Sequence, residues 1–203
     1  MGFLDVVLGR KRLKEAADER LFALSTAQVT LQTELGLTTA GAAAVVFKPM
    51  SAGEFTRAEE DMTSLLDTVA HSSGSTVEQK TDDMGFTWLI VRDPDIEDLV
   101  TTAHLIGSEL KARGFGPQLL AAVFSFQGAG GVGSTEPAGS GAGKDPVYWI
   151  YGYKRGAWWP FVPTGGGKER NNAEELALKA KLEKELPIEP DLSRWLALFD
   201  API

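Results

Sequence analysis

The chain has 203 residues, a hydrophobic fraction of 43%, a charged fraction of 24% and no cysteine. This length suits one domain of about 100–200 residues, and the missing cysteines exclude disulfides, thiolate metal ligands and cysteine nucleophiles. A net charge of −8 argues against nucleic acid, whose phosphates need a basic face, and no apolar run reaches the roughly 18 residues of a spanning helix.

Residues 1–14 differ in charge from the rest: Arg10, Lys11, Arg12 and Lys14 stand against Asp5 alone. Ahead of them, Phe3, Leu4, Val6, Val7 and Leu8 would cover an arc of about 200° on a helix. The segment reads either as a membrane-surface helix giving peripheral membrane contact, or as a first helix docked on the core. It is not a secretory signal, because its basic residues follow its apolar ones, and Val6 stands where a myristoylation motif wants Ser or Thr. With no cysteine, this fits a cytoplasmic protein.

Leu13, Ala16, Ala17, Leu21 and Leu24 predict a helix over 13–24. Ser25 with Gln28 reads as a capping box for a second helix over 26–35, ended by Gly36. The apolar run from Ala42 to Phe47, stopped by Pro49, predicts a strand. A pattern then occurs twice. Residues 53–70 carry Phe55, Met62 and Leu66 on one helical face, and strands follow at 75–81 and 86–92, joined by the hairpin signal Asp82-Asp83-Met84-Gly85. Residues 95–112 form the next amphipathic helix, stopped by Gly114. Its strands are 118–126 and 146–154, with a turn at Lys154-Arg155-Gly156 leading to a further strand over 157–162. The last helix, 173–185, has Asn171 and Asn172 as caps, with Glu174 and Glu175 three residues on. Pro187 and Pro190 end it.

The repeated α-β-β order predicts an α+β fold for residues 1–203 as a single domain: a two-layer sandwich of an antiparallel sheet of five to six strands, with helices mainly on one face and extra N-terminal helices. In this order it resembles the secretion-chaperone-like fold. Residues 128–143, rich in Gly, Ser and Ala, read as a disordered hairpin loop.

The chemistry-bearing patterns fail on context. Gly128 to Gly133 match G-x-G-x-x-G, but no helix follows to hold a pyrophosphate. Lys144 and Lys168 are followed by Asp145 and Glu169, where a phosphate loop needs Ser or Thr. In the run Asp93, Asp95, Glu97, Asp98, the last stands where a calcium loop needs Gly. Asp93 as N-cap with Pro94 at the first helical position accounts for it better. His71 and His104 fit neither a zinc site nor a serine triad. The expectation is no catalytic, metal or cofactor site. The aromatic cluster is different. Trp149, Tyr151 and Tyr153 share one strand face, and with Arg155 and Trp158 they form the candidate partner-binding site, since Trp, Tyr and Arg dominate binding hot spots. Arg155 can also stack on Trp158. The alternative is a second layer covering both faces of the sheet.

Several stretches carry a family resemblance: Met1-Gly2-Phe3-Leu4-Asp5, Gly85 to Asp95, Gly114 to Leu120, Tyr153-Lys154-Arg155-Gly156, and Leu186 to Trp195. Together they resemble the PspAB family of PspA-associated proteins, relative to which 128–143 looks like an insertion. The resemblance implies a non-enzymatic accessory protein of the phage-shock, envelope-stress system that binds PspA or an HtpX-type membrane protease. It carries over no active-site residue. Two other classes compete with it: a secretion-chaperone-like homodimeric binding module, and a small-ligand protein or enzyme with a pocket lined by the Trp and Tyr cluster.

Overall fold

In a computed structural model, the structure describes residues 19–48, 74–128, 146–164 and 168–203. The readings for 1–14, the helix over 53–70, His71, and all of the glycine-rich loop except Gly128 lie outside the described residues.

Six antiparallel strands form one sheet: β1 (Leu37–Phe47), β2 (Thr76–Thr81), β3 (Thr87–Arg92), β4 (Leu119–Gly128), β5 (Val147–Gly152) and β6 (Ala157–Phe161). Their spatial order is β2-β3-β1-β4-β5-β6. The α+β sandwich expected from the sequence is present. Among the described residues its α-helices are α1 (Ala23–Thr26), α2 (Gln28–Thr33), α3 (Ile96–Ala112) and α4 (Asn172–Leu182).

Strand β1 begins five residues earlier than expected. Leu37, Thr38 and Thr39 pair with β4, and the register then shifts between Thr39 and Ala42. Gly41, at φ +75°, makes this bulge, a backbone conformation that side chains resist. The 82–85 hairpin forms as expected. Asp82 Oδ1 accepts from the amides of Met84 and Phe86, and Asp82 Oδ2 accepts from Trp88 Nε1 at 2.9 Å.

Two caps differ from expectation. The N-cap of α3 is Asp95, whose carboxylate accepts from the Glu97 amide at 2.7 Å. Asp93 instead accepts from the Asp95 amide and from the hydroxyl of buried Ser75. Pro94 disfavours helical backbone in the residue before it, which moves the start past Asp93. Ser25 caps nothing. The chain runs helical from Arg20 through Thr33 almost without a break, and Ala27, itself helical, precedes α2. At the other end of α3, Gly114 at φ +91° allows its own amide to reach the Lys111 carbonyl and the Phe115 amide to reach that of Leu110. This pair of bonds satisfies carbonyls that every helix end leaves open.

Away from β2, the sheet is buried on both faces. On the first, Val45, Phe124, Trp149 and Trp158 pack against Leu24, Leu31, Leu99, Ile106 and Leu182 of the helical layer. On the second, Val123, Ile150, Trp159 and Phe161 pack with Trp195, Leu198 and Phe199 of the C-terminal segment 186–203. That segment holds only one helical turn, Leu192–Arg194. Among the described residues, no helix is long and apolar enough to cross a membrane.

Candidate partner-binding site

The structure relocates most of the candidate site. Trp149, Tyr151 and Trp158 are 0% exposed, so they cannot meet a partner. They belong to the first core, where Tyr151 and Trp158 lie with ring centroids 5.1 Å apart and Trp158 Nε1 donates to the Arg20 carbonyl at 3.0 Å. Of the two readings of this strand, an open aromatic face and a second layer over both faces, the structure has the second. The opposite face of β5, with Tyr148 and Ile150, meets the C-terminal segment.

Tyr153 is partly buried against α3. A Cβ added at Gly107 would lie 2.7 Å from the Tyr153 hydroxyl, so the absent side chain at 107 is what admits the ring. Lys111 Nζ sits 5.0 Å from the Tyr153 centroid. Among the described residues, this contact and Arg170 over Phe161 are the cation–π pairs. Arg155 does not stack on Trp158. Its Nε lies 3.5 Å from Glu189 Oε2.

Arg155 thereby leads to a surface that the sequence does not show directly. Trp158 N donates to the Pro187 carbonyl and Glu189 N to the Trp158 carbonyl, both at 2.9 Å, so segment 187–189 runs beside β6 in parallel. This brings the Tyr153–Gly156 turn against the Leu186–Trp195 stretch. Glu189, whose side chain is 5% exposed, takes Arg155 on one oxygen and Arg194 on the other, at 3.5 and 3.7 Å. Burying one carboxylate between two guanidinium groups keeps its charge compensated. Both arginines remain about half exposed, so their remaining N–H donors face solvent. Arg194 also pairs with Asp191 at 3.0 Å. The hydroxyl and amide of Ser193 donate to Asp191 and, with Arg194 and Arg155, hold its carboxyl below the usual carboxylate range. Leu192 and Leu196, 48% and 56% exposed, flank Arg194. The outcome is a surface patch of two cations and two leucines over a rigid anchor.

A second buried pair fixes this patch from behind. Asn171 caps α4 as expected, accepting from the Glu174 amide. Glu175 is not a capping residue. It is 2% exposed, accepts from the Val162 amide at 2.9 Å, and pairs with Arg170 at 2.7 Å. Arg170 Nη1 reaches on to the Trp195 carbonyl at 3.0 Å, which ties α4 and β6 to the C-terminal segment.

The other candidates assemble no chemistry. His104 rests against the Phe22 ring, 4.8 Å away, with Nε2 3.4 Å from Ser108 Oγ. Among the described residues, no group of three or more His, Asp and Glu could hold a metal ion. A cleft of about 210 Å³ is lined by Leu35, Leu37, Val147, Leu178, Glu174 and Lys181. It lies apart from the Trp and Tyr cluster and is smaller than the roughly 300–1,000 Å³ of ordinary ligand pockets.

Compared with known proteins, the chain matches the family model PspAB, described as PspA associated protein B, over residues 1–203. No curated protein and no solved structure matches it.

Proposed function

We propose that this chain, which belongs to the PspAB family, is a non-enzymatic accessory protein of the phage-shock envelope-stress response, working in the cytoplasm by binding PspA through the Arg155–Arg194 patch. The observation that carries this reading is the match of the whole chain to a family named for its association with PspA. Geometry supports the patch as the contact. Arginine beside exposed leucine is the composition of protein interfaces. The spare guanidinium donors suit an acidic face on the partner. Buried Glu189 holds both arginines in place before binding, which lowers the entropy lost on association.

The test is a pull-down of the full chain with PspA, with and without anionic liposomes. Retention by PspA that is lost in Leu192→Glu/Leu196→Glu and weakened in Arg155→Lys/Arg194→Lys, a pair that keeps Glu189 compensated, with folding unchanged by circular dichroism, is the expected result. Retention by an HtpX-type protease alone would move the proposal to that partner, and retention by neither would reject it.

A further inference from the structure

The two edges of the sheet are treated differently. The β6 edge carries Pro160, which has no N–H to offer, and is closed by segment 187–189. Among the described residues, no strand or segment pairs with the outer side of β2. All six of its residues pair with β3 on one side, and all but Val77 are exposed. Free edges invite strand pairing, and a protein that leaves one flat and open exposes a template.

We infer that β2 pairs with β2 of a second copy of this chain, antiparallel about Gln79, so that two six-stranded sheets join into one. The hydrogen-bond phase allows it. Asp82 N donates to the Phe86 carbonyl at 3.0 Å. Narrow pairs alternate along an antiparallel ladder, so Glu78 and Lys80 turn their backbone groups to β3. Val77, Gln79 and Thr81 turn theirs outward. In the joined sheet Gln79 faces Gln79, and Val77 faces Thr81 of the other copy, giving about six hydrogen bonds from the outward donors and acceptors.

Charge selects this register. Glu78 falls opposite Lys80 of the second copy, and Lys80 opposite Glu78, in the non-hydrogen-bonded positions where side chains lie closest. A two-fold axis normal to the sheet restricts the alternatives to shifts of whole residue pairs. The next registers place Glu78 opposite Glu78, or Lys80 opposite Lys80 with Glu78 opposite Asp82. Parallel pairing also sets like against like. The arrangement is isologous, as a two-fold interface requires. It uses neither arginine of the PspA-binding patch, so the two proposals fail separately.

The test is sedimentation equilibrium of the full chain across a concentration series. The native chain self-associates to a dimer. Glu78→Lys and Lys80→Glu each set like charges opposite and weaken association by about tenfold or more. Mixing these two variants restores dimer, because each then faces its complement, and the double exchange Glu78→Lys/Lys80→Glu restores it within one chain. Gln79→Pro removes an outward donor and gives monomer, with a folded spectrum. A native chain that is monomeric at every concentration overturns the proposal, and so does a dimer indifferent to both charge reversals.

Discussion

The two faces of the sheet are buried by two kinds of layer, and the contrast explains where the polar contacts of this protein collect. The first face is covered by helices. A helix satisfies its own backbone, so α1 to α4 dock through apolar side chains such as Leu24, Leu31, Ile106 and Leu182. The second face meets segment 186–203, which has almost no regular structure. Its peptide groups need partners from outside. They receive the indole N–H of Trp159 on Leu196 and the Arg170 guanidinium on Trp195, both at 3.0 Å, while the Trp195 indole N–H closes on the Glu189 carbonyl within the segment. A regular layer can therefore be held by many interchangeable contacts, whereas an irregular one depends on a few specified donors, each costly to leave unmatched.

Ending the chain after residue 186 breaks the comparison most severely. It bares Trp159 and Phe161 and reopens the β6 edge. We expect a loss beyond about 5 kcal/mol, seen as a collapsed near-UV signal and dye binding to exposed apolar surface. A native near-UV signal in the truncated protein would reduce the segment to decoration. Next is Glu175→Ala, which strands Arg170 and the Val162 amide. Its expected cost is about 3–5 kcal/mol in urea unfolding, and a loss near 1 kcal/mol would mean that the irregular layer does not depend on it.

The helical layer supplies a smaller effect. Gly107→Ala pushes a methyl group into the Tyr153 ring and should cost about 1–3 kcal/mol. In a Tyr153→Ala background the same change should become neutral or mildly stabilising, since alanine favours a helix interior. A double-mutant cycle measures this directly.

The smallest effect is on pH. Asp191 titrates below its ordinary value of 3.8 in the folded protein. Its folded carboxyl holds a proton less tightly than the unfolded one, so its contribution is full above that value and fades as pH falls towards the folded pKa. Asp191→Asn should therefore lower stability slightly above about pH 4, and the difference from the native chain should shrink as pH falls below that, which flattens the acid limb.

Legibility in the sequence follows the same division. The helical layer is readable because α3 carries a 3.6-residue apolar period, and because Asn171 and Gly114 are residues that helix caps demand. The start of α3 was readable only to within two residues. Asp93 and Asp95 can each cap; Pro94 favours the later start, and the partner that Asp93 takes instead, Ser75, is 18 residues away in sequence. Segment 186–203 has neither a helical nor a strand period, so the sequence does not mark it as the second layer and leaves an open and a covered aromatic face as alternatives. Pro187 read only as a helix stop, yet its carbonyl accepts from Trp158 and helps close the sheet edge. Arg155 stands out in the sequence as a turn cation beside the aromatic cluster, but its anchor, Glu189, lies 34 residues on and has no motif to mark it.

Closure of the β6 edge by residue 188 also sets an order in time. Roughly 30 residues separate Trp158 from its neighbour Ile188. At about 5–20 residues per second, the ribosome needs about 1.5–6 s to add them. Until segment 187–189 has been made and has docked, β6 keeps one side unpaired, a surface on which neighbouring chains can template wrongly. Segment 187–189 therefore acts as a clock on biogenesis as well as a seal on the finished sheet, and slowing translation between these two points prolongs the vulnerable state.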